Sequence, residues 1–227
     1  MKKFEVRGWF EDTGVVASVR VKSPEDAIFA AQSVVAGGVV LVEIPLTVPK
    51  PMEVINHLAK KTPGIVVGAG GVTNPATAQA CLDAGAQFLT CDGLRPAVIE
   101  FASKQDVVAF PGALTPTEVI WAWEANSDFV KVVPCAHIGG EAYIASLHQM
   151  FPQIPLIASG GVTQQNASNF ILAGAVALGV GRELIPPDAI RRRQVDRIGE
   201  LSRRFLGFVK GGRDHLAARA RRSAVEG

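Results

Sequence analysis

VVLVEIPL, residues 39–46, reads as a strand buried on both faces: aliphatic and β-branched residues run almost unbroken, with one charge, Glu43, among them. A strand with one face in solvent alternates apolar with polar residues, whereas a parallel sheet covered by helices shows near-continuous apolar runs. The same signature recurs on either side of this stretch. GVVASVR at 14–20 precedes it, and GIVVGAG at 64–70, QFLTCD at 87–92, DVVAFPGA at 106–113, DFVKVVP at 128–134, PLIASG at 155–160 and AVALGVG at 175–181 follow.

These make eight candidate strands, and the segments between them carry helical spacing or helix start signals. Two starts are explicit. Ser23-Pro24-Glu25-Asp26 and Thr115-Pro116-Thr117-Glu118 each offer a capping oxygen, proline at the first helical position and an acid three residues after the cap. An open doubly wound sheet would carry a glycine-rich dinucleotide turn after its first strand, and none stands there. The pattern therefore predicts an α/β fold, a single TIM-type (β/α)8 barrel, in which working residues belong at the C-terminal ends of strands.

Composition bounds the function. With 48% apolar and 19% charged residues the chain is globular, and no apolar run is long enough to span a bilayer. MKKFEVRGWFEDTG at the N-terminus lacks the apolar core of a secretion signal, so a cytoplasmic location is expected, with no membrane partner. Cys81, Cys91 and Cys135 are scattered and read as reduced thiols; no metal site is expected. The net charge of +2 comes largely from arginines between Arg191 and Arg222, which read as a solvated helix face and not as a nucleic-acid surface. The barrel is expected over residues 1–210, with terminal helices, and residues 211–227, beginning Gly211-Gly212, as a frayed basic tail.

Lys131 is the lone cation within Phe129-Val130-Lys131-Val132-Val133, and period-two alternation puts it on one face with Phe129 and Val133. Taking an ammonium out of water favours its neutral, nucleophilic form, which imine formation requires. An outward-facing lysine that snorkels to solvent is the structural alternative. Glu43 supplies the second lone charge in a buried strand, and two opposite isolated charges are best accommodated facing one another inside the barrel, as a buried salt bridge or as a nucleophile with its proton shuttle.

Late glycine turns follow the seventh and eighth strands, at Gly160-Gly161 and Gly179-Val180-Gly181, with Arg182 beside the second. Loops in those positions of a barrel commonly hold phosphate through backbone N–H groups. Cys135 and His137, after the Lys131 strand, and Asp92, after the fourth strand, are placed at the barrel mouth without an assigned role.

With these residues placed, the chain resembles the family of 2-dehydro-3-deoxy-phosphogluconate (KDPG) and 4-hydroxy-2-oxoglutarate (KHG) aldolases. The resemblance covers nearly the whole barrel through AGGVVLVEIPLTVP at 36–49, IVVGAGGVTNP at 65–75, AGAQFLTCDGL at 84–94, FPGALTPTEV at 110–119, FVKVVP at 129–134 and ASGGV at 158–162. It implies a cofactor- and metal-free class I aldolase, a homotrimer, cleaving a phosphorylated 2-oxo acid, a 2-keto-3-deoxy-6-phospho aldonate, to pyruvate and glyceraldehyde 3-phosphate. Lys131 then matches the Schiff-base lysine and Glu43 the acid–base glutamate. Gly160, Gly161 and Gly181, with Arg182, fall on the phosphate segments, and Pro111 on a strand-end turn. Thr47 stands where many members carry arginine, and Gly71 where they carry the threonine of G-A-G-T. The same pair suits a 4-hydroxy-2-oxoglutarate aldolase yielding pyruvate and glyoxylate; a phospho-ligand-binding barrel without turnover is the reading of a different class.

Overall fold

The computed structural model describes residues 1–226. After α1 (Lys3–Thr13) come β1 (Val15–Ser18), α2 (Pro24–Ala36), β2 (Leu41–Pro45), α3 (Pro51–Lys61), β3 (Val66–Gly70), α4 (Pro75–Asp83), β4 (Phe88–Thr90) and α5 (Pro96–Lys104). The second half runs through β5 (Val108–Phe110), β6 (Gly112–Ala113), α6 (Pro116–Glu124), β7 (Val130–Val132), α7 (Gly140–Met150), β8 (Leu156–Ser159), α8 (Ala167–Leu172), β9 (Ala175–Val180), α9 (Pro187–Arg191) and α10 (Val195–Glu226). Both explicit start signals act as expected: Ser23 caps Asp26 N, and Thr115 with Glu118 completes a capping box.

All strand pairs are parallel, in the order β5-β4-β3-β2-β1-β9-β8-β7-β6. The two outer segments are one predicted strand, 106–113, divided at Pro111, which has no N–H to give to a ladder. Val108–Phe110 pairs with β4 and Gly112–Ala113 with β7, so this strand joins the two sides of a TIM-type barrel. The Pro111 carbonyl takes part, accepting from Lys131 N at 2.9 Å.

Alternation along the strands creates two apolar compartments. Val16, Leu41, Val66, Phe88, Val108, Phe129, Ile157 and Ala177 point inward and meet Val6 and Phe10 of α1, which plugs the lower end. Phe10 packs against Phe88, Phe110 and Phe129 with ring centroids 5.1, 5.3 and 5.1 Å away. Lys3 pairs with the buried Asp128 at 3.0 Å, and the other oxygen of Asp128 accepts from Ala109 N, which pins the plug to the wall. The larger cluster lies outside the strands, between sheet and helices.

The frayed tail expected from residue 211 is instead helix: α10 continues through Gly211-Gly212 to Glu226, with Gly227 outside the described residues. Tertiary contacts override the low helix propensity of the glycines. Gly212 lies against Ile171, where a Cβ would come within 3.0 Å, and Arg213 donates to the carbonyls of Asp12 and Val176. On the solvated side Arg204 and Lys210 pair with Glu200 and Asp214 of the same helix. Among the described residues no helix is long and apolar enough to cross a membrane.

Candidate active site

The inward parity that fills the lower barrel with apolar side chains delivers polar ones a step higher. Two residues beyond Val16, Leu41, Phe88, Phe129 and Ile157 stand Ser18, Glu43, Thr90, Lys131 and Ser159. Ser18, Glu43, Lys131 and Ser159 line a cavity of about 470 Å³ at the C-terminal ends of the strands. Phe110 and Ile157 form part of its apolar wall, and Gly160, Gly161, Gly181 and Arg182 complete it on the side of the last two strands.

Lys131 and Glu43 are each only 5% exposed. They do not meet as an ion pair; a hydroxyl stands between them. Thr90 Oγ1 donates to Glu43 Oε2 at 2.8 Å and accepts from Lys131 Nζ at 3.4 Å. Ser18 Oγ donates to the other Glu43 oxygen at 2.9 Å, so the carboxylate is held at both ends. The facing pair expected from the sequence is thus a hydroxyl-bridged arrangement. The ion-pair partner of Lys131 is Asp92, whose Oδ1 lies 3.4 Å from Nζ at the rim.

Small residues make this packing fit. A Cβ on Gly70 would stand 2.6 Å from Glu43 Cδ, so only glycine lets β3 run beside that side chain. Gly71 has φ +74°, and a Cβ there would come within 3.3 Å of Asp92 Oδ2.

The structure therefore gathers Glu43, Lys131, Gly160, Gly161, Gly181 and Arg182 around one cavity and leaves Thr47, Gly71 and Pro111 outside its lining. Thr47 is exposed in the loop after β2, and Pro111 is buried next to Lys131 through its carbonyl. His137 is exposed in the short turn after β7 and does not line the cavity, while Cys135 is buried with Sγ 3.5 Å from the Gly160 carbonyl. Asp92 does line it, as does Arg20, which the sequence reading passed over. Ser18 and Thr90 were missed as well. Their signal was parity, since each is a hydroxyl on the inward register at the C-terminal end of its strand. Among the described residues no group of three or more His, Cys, Asp or Glu side chains is gathered as metal ligands would be.

A buried amine opening on a cavity, with one carboxylate reached through a hydroxyl and another in direct contact, can form an imine and move protons around it. Compared with known proteins, the chain matches the family model for KDPG and KHG aldolase over residues 7–201. It is 30% identical over 196 residues to the KHG/KDPG aldolase of Escherichia coli strain K12, a match covering 86% of this chain and 92% of that protein. It is 30% identical over 175 residues to a probable 2-dehydro-3-deoxy-6-phosphogalactonate aldolase of Rhizobium meliloti, covering 76% and 82%. Among solved structures, KDPG aldolase of Legionella pneumophila, with pyruvate captured at low pH as a covalent carbinolamine intermediate, is similar at a TM-score of 0.80 and 25% identity, covering 87% of this chain and 96% of that one.

Proposed function

The chain belongs to the KDPG and KHG aldolase family, and on that basis we propose that it is a class I aldolase in which Lys131 forms a Schiff base with a phosphorylated 2-oxo acid. The observation that carries the reading is the buried Lys131 amine opening into the cavity, linked by Thr90 to the doubly held Glu43. Lys131 Nζ attacks the C2 carbonyl, water leaves, and the iminium draws electrons away from C3. Glu43 accepts the C4 hydroxyl proton as the C3–C4 bond breaks, the aldehyde departs, and the enamine is protonated at C3 and hydrolysed to pyruvate.

Two features support a phosphorylated substrate. Gly160, Gly161 and Gly181 bring backbone to the cavity after the strands that commonly hold phosphate in barrels, and Arg20 and Arg182 both line it. The preferred reaction is cleavage of a 2-keto-3-deoxy-6-phospho aldonate to pyruvate and glyceraldehyde 3-phosphate, in the homotrimer that the family resemblance implies. Cleavage of 4-hydroxy-2-oxoglutarate to pyruvate and glyoxylate is the second reading, favoured by the dual name of the Escherichia coli relative. Pyruvate release from phosphorylated aldonates and from 4-hydroxy-2-oxoglutarate, measured side by side, separates the two. Borohydride reduction in the presence of pyruvate, read by mass spectrometry, tests the premise. A folded protein that gives no adduct on Lys131 would leave a phospho-ligand-binding barrel in its place.

A further inference from the structure

Two carboxylates approach the Lys131 amine, and the structure holds them differently. Glu43 is 5% exposed, accepts a hydroxyl hydrogen bond on each oxygen, and is separated from Nζ by Thr90. Asp92 meets Nζ directly through Oδ1 at 3.4 Å, and its side chain is 67% exposed, so it faces amine and solvent together. Gly71 lies beside it in a left-handed conformation, and a Cβ there would sit 3.3 Å from Asp92 Oδ2.

We propose that Asp92 is a further catalytic residue, the acid–base group of imine formation and hydrolysis, while Glu43 serves the C–C bond. The inference rests on the Schiff-base reading given above. In the forward direction Asp92 takes one proton from the Lys131 ammonium, and the freed lone pair forms the C–N bond as the carbonyl π pair moves to oxygen. Asp92 returns that proton to the oxygen. It then takes a second proton from the carbinolamine nitrogen and delivers it to the hydroxyl, which leaves as water while the nitrogen lone pair closes C=N. Ammonium and ketone become iminium and water, one positive charge is carried throughout, and Asp92 begins and ends as carboxylate. Two carboxylates with separate duties spare Glu43 from serving both ends of the substrate.

The experiment is a time course of pyruvate trapping on Lys131 by borohydride in the full chain, followed by intact mass, for the wild type, Asp92→Asn, Asp92→Ala and Asp92→Glu. Adduct formation is expected to slow by roughly 10²-fold in Asp92→Asn. Asp92→Glu should recover part of that rate, and added formate should rescue Asp92→Ala in proportion to its concentration, which loss of a merely structural contact would not allow. Circular dichroism confirms folding of variants at this exposed position. Wild-type trapping rates in Asp92→Asn and Asp92→Ala overturn the assignment of Asp92 and leave the aldolase reading intact. No adduct in the wild type overturns both.

Discussion

Thr90 gives its only hydroxyl proton to Glu43, 2.8 Å away, and so turns a lone pair toward Lys131. This one contact sets the polarity of the link between amine and carboxylate. Thr90→Val removes it with little change of side-chain size. Losing a hydrogen bond to a buried charged group costs about 1.5–3 kcal/mol, roughly a 10- to 100-fold effect if felt in the transition state. The expected outcome is a fall of that order in kcat, with Thr90→Ser close to wild type. Steady-state kinetics on the three proteins checks it, and a Thr90→Val enzyme with normal kcat would remove the bridge from the mechanism.

Lys131→Ala should give neither adduct nor turnover. Glu43→Gln should still trap pyruvate but cleave substrate roughly 10²–10⁴-fold more slowly, because the lost function is proton transfer at the C–C bond. Trapping and turnover measured on the same preparations separate the two roles. Turnover retained in Lys131→Ala excludes the imine mechanism.

Gly70→Ala is a test of close packing at the site. Its methyl group would lie 2.6 Å from Glu43 Cδ and 2.7 Å from Oε1, closer than atoms can approach. The carboxylate must then leave its place between Ser18 and Thr90. A loss of kcat comparable with that of Glu43→Gln is expected, and wild-type kinetics in a folded Gly70→Ala protein would show that Glu43 is free to relocate.

Phe10→Ala should destabilise the barrel from its lower end. The ring is fully buried against Phe88, Phe110 and Phe129, and truncating such a core aromatic costs about 3–5 kcal/mol. Denaturant unfolding measures it. A change below about 1 kcal/mol would mean that α1 does not close the barrel cooperatively.

Burial pushes the thiols of Cys81, Cys91 and Cys135 up to about 11. Unfolded thiols ionise near 9.0, so above that pH the unfolded state binds fewer protons than the native one. The stabilising contribution is therefore complete below about 9 and is lost as pH rises toward 11. The native chain should resist thiol reagents at neutral pH and react on unfolding, and replacing all three cysteines with alanine should flatten the alkaline fall in stability. Rapid labelling of the native protein would contradict the buried placement.

The strand pattern, the barrel and the inward placement of Lys131 and Glu43 were legible because each depends on local facts. A buried strand must be apolar on both faces, side chains alternate with period two, and a lone charge in such a run must either find a partner or do chemistry. The turns holding Gly160, Gly161 and Gly181 were legible for the same reason, since their place follows from counting strands. The continuation of α10 was not, because it depends on Ile171 and on the carbonyls of Asp12 and Val176, which lie far away in sequence.

The sequence by itself determined which residues can face the barrel interior, and hence that an amine and a carboxylate share it. Only the tertiary structure decided how they are connected. The distance between side chains on β2, β4 and β7 depends on how the strands stagger around the closed sheet. That stagger sets the Thr90 hydroxyl between Lys131 and Glu43 and leaves Asp92 to pair with the amine at the rim.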